Sequence, residues 1–149
     1  MNDFEKSLNS VLVDTFNFIL KYEETSLKTI ASVPITVSEA HMLEAISKNG
    51  ENTNISDIAA SLNITMATAT VAVKKLEKKG FITKVPCLVD GRRFIVSLTD
   101  LGEKVDKAHS LFHRKMVRNI SRGFNDEEQM MLLAAVEKLR EYFKEKVEK

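Results

Sequence analysis

NISDIAASLNITMATATVAVKKLEKKGFITKVPCLVDGRRFIVSLT, residues 54–99, is the stretch whose reading decides the fold. Ile55, Ile58, Ala59 and Leu62 recur at helical spacing, and Asn54 stands where an N-cap belongs, so 54–62 reads as a short amphipathic helix. Asn63-Ile64 leaves room only for a turn. Thr65 then offers a hydroxyl cap for a second helix that runs to Gly80. On that helix Ala69, Val73 and Leu76 share one stripe, expected to face a core, while Met66, Ala67, Thr70, Val71 and Lys74 fall on the opposite side. After Gly80, Phe81–Val85 and Phe94–Leu98 are rich in β-branched and aromatic residues and read as two strands. The loop between them, Pro86 to Arg92, holds the tight-turn signal Asp90-Gly91. Helix, turn, helix, strand, turn, strand predicts a mainly α chain with a small β-hairpin wing.

Charge is concentrated in the same stretch. Between Asn54 and Arg93 there are seven cations (Lys74, Lys75, Lys78, Lys79, Lys84, Arg92, Arg93) against three anions (Asp57, Glu77, Asp90), a surplus of four in a chain whose net charge is only +1. Affinity for phosphates is therefore confined to one module, and release of counterions there would supply sequence-independent grip on DNA. The lysines also sit at the end of the second helix, where its dipole is negative. A helix face of small and methyl-bearing side chains is unusual for solvent and suits a major groove, where thymine methyls and phosphates are the partners. The competing reading from another class is a protein-interaction module that packs this face on a partner helix. Arg92 and Arg93, at a hairpin tip, have no core to serve and suit a wing that meets the DNA backbone or minor groove.

Asp90-Gly91-Arg92, followed by Val96, Leu98-Thr99 and Gly102, resembles the D-x-R…L-T-x-x-G wing signature of the MarR family of winged helix-turn-helix regulators. Leu76-Glu77-Lys78-Lys79-Gly80 resembles the L-E-x-x-G ending of that family's recognition helix. The resemblance covers nearly the whole chain, 1–149 as one MarR-type domain. It implies a DNA-binding lobe at about 35–99 and a helical dimerisation region at about 1–30 and 100–149. It implies double-stranded DNA as partner, read by a homodimer on a palindromic operator, with repression as the output. The implied contact residues are Thr65, Met66, Ala67, Thr68, Thr70, Val71, Lys74, Lys75, Asp90, Arg92 and Arg93, with Asp90 holding the wing arginine Arg92. Val71 departs from relatives that carry an arginine at that place.

The flanking segments are strongly apolar at helical spacing: Phe4, Leu8, Val11, Leu12, Phe16, Ile19 and Leu20 to about Lys28, and Val105, Ala108, Leu111, Phe112, Met116 and Ile120 after Thr99. A last helix opens at Asn125-Asp126-Glu127-Glu128 and carries Met130, Leu133, Ala134, Val136, Leu139 and Phe143. These stripes are too long for a small winged lobe to cover and are expected to pack on one another or on a second copy. The chain is 149 residues long, with a single cysteine, Cys87, which excludes an internal disulfide. No run is long and apolar enough to span a bilayer, and a soluble, cytoplasmic protein without a membrane partner is expected. The sequence offers no Gly-rich phosphate loop, nucleophile elbow or paired-carboxylate motif, which argues against an enzyme.

His109 and His113 are four residues apart and share a helix face; His41 lies in a helix expected at Ser38–Lys48. In zinc-sensing members of the MarR family a first-helix glutamate and histidines form a metal site, and Glu24, His41, His109 and His113 resemble that set. Three imidazoles and a carboxylate suit tetrahedral zinc. Glu23-Glu24-Thr25-Ser26-Leu27 with His109–His113 equally resembles the branch of the family that regulates fatty-acid synthesis, where the effector is an acyl chain on a carrier protein. No cofactor is required by either reading; the effector is a small molecule, an acyl-carrier species or zinc.

Overall fold

The computed structural model describes residues 1–30 and 34–147. Its elements, in order, are α1 (Asp3–Leu27), α2 (Val37–Asn49), α3 (Ile55–Leu62), α4 (Met66–Lys78), β1 (Ile82–Pro86), β2 (Phe94–Leu98), α5 (Asp100–Ser121) and α6 (Asp126–Val147). The contacts gather into two compact units, 1–112 and 113–149, with the division inside α5.

In the first unit, local chemistry sets every boundary around α3 and α4. The Asn54 side chain accepts from the Asp57 N–H and the Asp57 carboxylate accepts from the Asn54 N–H, so two otherwise orphaned donors are satisfied. Asn63 ends α3 in the left-handed region (φ 51), which asparagine tolerates better than most residues. Thr65 caps α4 by accepting from the Thr68 N–H at 3.1 Å. Gly80 adopts φ +80 after α4, and the Phe81 N–H returns to the Leu76 carbonyl at 3.0 Å. Between α3 and α4 the chain bends by 112°, within the range of helix-turn-helix pairs.

β1 and β2 pair antiparallel in the register Ile82↔Leu98, Lys84↔Val96 and Pro86↔Phe94. The segment before α3 joins this hairpin, through a bridge from Asn54 to Ile95 and a 2.8 Å bond from the Val96 N–H to the Thr53 carbonyl. The core beneath is Met42, Leu43, Ile46, Ile58, Val73, Leu76, Phe81, Ile82, Val96 and Val105. One end of the hairpin is locked to α5. The Thr99 N–H donates to the Phe81 carbonyl at 3.0 Å, its hydroxyl donates to the Gly80 carbonyl at 2.7 Å, and the Gly102 N–H donates to that hydroxyl at 3.2 Å. This is the physical content of the Leu98-Thr99-x-x-Gly102 pattern.

In the second unit, Asn125 and Glu128 exchange side-chain-to-backbone bonds that open α6, and the Gln129 amide donates to the carbonyls of Ser121 and Phe124. Among the described residues of α6 none is buried, and Met130, Met131, Leu133 and Val136 are at least half exposed. In the first unit α1 likewise exposes Phe4, Val11, Phe16, Phe18 and Leu20. No single helix among the described residues is long and apolar enough to cross a membrane.

Gly102 has no room for a side chain, because an added Cβ would lie 2.1 Å from the Phe81 carbonyl oxygen. That oxygen already accepts the Thr99 N–H, so it cannot withdraw without breaking the lock. In a free helix Gly→Ala stabilises by about 1 kcal/mol. Here Gly102→Ala is expected to destabilise by about 3 kcal/mol, lowering the melting temperature by on the order of 10 °C in a thermal melt.

Candidate nucleic-acid interface and effector site

The surface of α4 follows from the stripe that it buries. Ala69, Val73 and Leu76 are inaccessible, which turns Met66, Ala67, Val71 and Lys74 outward; Met66 and Val71 are 51% and 68% exposed. Thr65 and Thr68 are committed to the cap, their hydroxyls 2.9 Å apart. The half-buried Thr70 gives its hydroxyl proton to the Met66 carbonyl at 2.8 Å, so its methyl is what it has left to offer.

The basic block is less uniform than its sequence suggests. Glu39, buried in the first turn of α2, accepts from the Lys79 ammonium at 2.8 Å through both oxygens, and Lys75 stands 3.1 Å away. Lys79 also donates to the Pro34 carbonyl at 2.9 Å. Lys84 lies 3.8 Å from Glu77 and over the Phe94 ring. Among the described residues Lys74, Lys78, Arg92 and Arg93 have no anionic partner, so four of the seven cations are uncommitted. Lys75 is therefore shared between the fold and the surface.

At the wing, Asp90 does hold Arg92, but by the backbone: its carboxylate accepts the Arg92 N–H at 3.1 Å. The Arg93 N–H donates to the Asp90 carbonyl at 2.9 Å and the Cys87 N–H to the Arg93 carbonyl at 2.8 Å, which closes the loop and leaves both guanidinium groups outside.

Glu23, His41 and His109 meet at the other side of α2. The Glu23 Oε1 lies 2.8 Å from His41 Nε2 and 2.5 Å from His109 Nε2, and Glu23 and His109 are almost inaccessible. His113 follows His109 by one turn of the same continuous helix, and one ligand atom from each of the four residues falls within 4.8 Å of the others. Convergence of imidazole nitrogens on one carboxylate oxygen fits a divalent ion, which would replace the shared protons. In a tetrahedron with bonds of about 2.0–2.2 Å the ligand atoms stand about 3.3–3.6 Å apart, so the two short Glu23 contacts would open around the ion while the wider separations close.

The carboxylate in this cluster is Glu23, which corrects the expected Glu24. Adjacent helical residues point about 100° apart. Glu24 faces solvent and pairs with Lys28 at 3.1 Å, while Glu23 shares a stripe with the buried Leu27. The apolar residue four positions on was the signal that distinguishes the two. Glu39 was not singled out by the sequence reading, although Thr36-x-x-Glu39 is a capping box and the structure shows both of its bonds.

Two carboxylates are held below their usual range. Burial pushes Glu23 up, but hydrogen bonds to His109 and His41 and the charge on those rings outweigh it. For Glu39, burial is outweighed by Lys79, the Thr36 N–H and Lys75. A carboxylate depressed in the folded state contributes stability that is present above its unfolded value and lost as the pH falls through the folded one. Glu39→Gln is therefore expected to lower the melting temperature at pH 7 and to flatten its fall on acidification from pH 5 towards 3, measured by thermal melts at stepped pH.

A helix-turn-helix pair followed by an antiparallel wing defines a winged helix-turn-helix protein. Residues 35–94 match the MarR family. The chain is 29% identical over 117 residues to the transcriptional regulator ZitR of Lactococcus lactis subsp. cremoris, covering 76% of this chain and 79% of that one. It is 28% identical to the transcriptional regulator AdcR of Streptococcus pneumoniae, over 72% and 70% of the two chains. The structure of Streptococcus pneumoniae FabT in complex with DNA superposes with a TM-score of 0.88 at 28% identity, over 95% of this chain and 98% of that one. Residues 35–94 thus carry a MarR-family domain, the winged helix-turn-helix of DNA-binding transcriptional regulators.

Proposed function

We propose that this regulator is a homodimeric repressor of a palindromic operator whose DNA affinity is set by a divalent metal ion, zinc by its ligand chemistry, at Glu23, His41, His109 and His113. The observation that carries this reading is the meeting of the His41 and His109 imidazoles on one oxygen of the buried Glu23, with a ligand atom of His113 within 4.8 Å of the set. Neutral imidazole and carboxylate are borderline-hard donors suited to zinc, and four of them satisfy its preferred coordination number. Metal uptake would release the protons shared between the ring nitrogens and the carboxylate, so protons and metal compete for the same atoms.

The DNA contacts proposed are Met66, Ala67, Thr70, Val71 and Lys74 in the major groove, Lys75 in part, Thr65 and Thr68 at the start of α4, and Arg92 and Arg93 on the wing, with Asp90 as their support. The dimerisation region is assigned to about 1–30 and 100–149, because the exposed apolar faces of α1 and α6 each call for a partner surface, and a second copy supplies one. Two DNA lobes would then address half-sites about 34 Å apart, and an effector that favours another spacing shifts the population away from the bound form.

One feature favours a second reading, an acyl-type effector. A cleft of about 740 Å³ in the first unit is lined by Met42, Leu62, Ile64, Val71 and Ala72, with His41 and Lys75 among its polar residues. A long apolar chain with an anionic end would fit that lining.

Operator affinity should fall steeply between about 50 and 200 mM salt, and Arg92→Ala should weaken binding by about 1–3 kcal/mol, both read by fluorescence anisotropy on a labelled duplex. An affinity that is flat with salt would favour the protein-interaction alternative.

Zinc is expected to bind below micromolar concentration and to change operator affinity by about 1–3 kcal/mol of coupling. Glu23→Gln and His109→Ala should remove that change, while Glu24→Gln should keep it. One titration of operator binding with zinc, a chelator and an acylated carrier protein separates the readings. If zinc alters neither operator affinity nor thermal stability and the acylated protein does, the metal reading is wrong.

A further inference from the structure

The two most exposed large apolar side chains among the described residues are Leu88 and Val89, at 103% and 96%. They do not lie on α1, α5 or α6, where most of the other exposed apolar residues are found. They stand side by side at the tip of the wing, between the half-buried Cys87 and Asp90. The loop that carries them is closed by three hydrogen bonds, Cys87 N–H to the Arg93 carbonyl, Arg93 N–H to the Asp90 carbonyl and Arg92 N–H to the Asp90 carboxylate. The tip is thus fixed in a conformation that displays the isobutyl group of Leu88 and the isopropyl group of Val89 to water. Immediately after it come Arg92 and Arg93, whose side chains have no anionic partner among the described residues.

An apolar knuckle flanked by uncommitted arginines is complementary to a surface that is hydrocarbon at its centre and anionic at its borders. The minor groove of duplex DNA is such a surface: its walls are deoxyribose C–H groups and its rims are phosphates. Apolar side chains are known to enter it and loosen base steps, and arginine is drawn into it where it is narrow. A protein helix would match the apolar pair but give no role to two adjacent guanidinium groups.

We propose that Leu88 and Val89 form an apolar wedge that the wing presses into the minor groove of bound DNA, with Arg92 and Arg93 holding the phosphates or groove edges beside it. The inference rests on the DNA-contacting role assigned to the wing above. It goes beyond that role because the apolar contact adds affinity that does not depend on counterion release.

The test uses the full-length chain and a duplex that the wild type itself selects from a random-sequence library. Affinity is measured for the wild type, Arg92→Ala, the double variant Leu88→Ser/Val89→Ser and the conservative variant Leu88→Met, at salt concentrations from about 50 to 200 mM. The double variant is expected to bind about tenfold or more weakly, from the apolar area that it no longer buries, with the slope of log affinity against log salt unchanged. Arg92→Ala should instead make that slope shallower by about 1, and Leu88→Met should bind like the wild type. Both substitutions are at fully exposed positions, and circular dichroism with sizing chromatography confirms that fold and assembly are intact. Unchanged affinity in the double variant, or a loss accompanied by a shallower salt slope, would overturn the wedge while leaving the DNA reading in place. Failure of the wild type to select any duplex would overturn both.

Discussion

A single buried carboxylate, Glu39, fixes the recognition helix to the body of its lobe. Its oxygens accept from Lys79 and from the Thr36 N–H, and Lys75 completes the pair of lysines around it. A carboxylate this deeply buried is tolerated only when it is paired and hydrogen-bonded, since desolvation would otherwise neutralise it. The bonds therefore constrain geometry as much as they stabilise: α4 cannot slide or turn relative to the start of α2 without exposing a charge to a dry environment. Two of the basic residues that a sequence count assigns to DNA are thereby partly spent on architecture.

The same turn of α2 faces two ways. Residues two apart on a helix point about 200° apart, so Glu39 meets the recognition helix while His41 meets Glu23 and His109 on the other side. The reading head and the candidate effector site thus share one rigid element. The wing is organised by a different means, with backbone bonds around Asp90 and the Thr99–Gly102 lock to Phe81 and Gly80 holding the hairpin at both ends.

The exposed apolar faces of α1 and α6 state a requirement that the chain does not meet in either of its compact units. Hydrophobic stripes of this length are costly in water, and α6 has no buried residue among those described. A helix that carries Met130, Met131, Leu133, Val136 and Phe143 on an otherwise charged scaffold is built to be covered.

The sequence by itself determined the elements and their order. Caps, turn residues and periodicity are local, so Asn54, Thr65 and Gly80 announced their helix ends, Phe94–Leu98 was legible as a strand, and the helix expected at Ser38–Lys48 needed one more residue at each end, Val37 after the Thr36 cap and Asn49 before Gly50. The stripe Ala69, Val73 and Leu76 was legible for the same reason, since helical phase within a segment follows from spacing alone. What the tertiary structure decided was which side chains from distant segments meet. The choice of Glu23 over Glu24 depends on the phase of α1 against its neighbours, a difference of 100° that a pair of adjacent glutamates does not reveal without the buried Leu27. The engagement of Lys75 and Lys79 by Glu39 joins residues about forty positions apart in sequence. The convergence of His41 and His109 on one oxygen spans sixty-eight. Local backbone preferences act over a few residues and can be read in order along the chain; ion pairs and ligand clusters act over a few ångströms, and only packing brings those residues within reach.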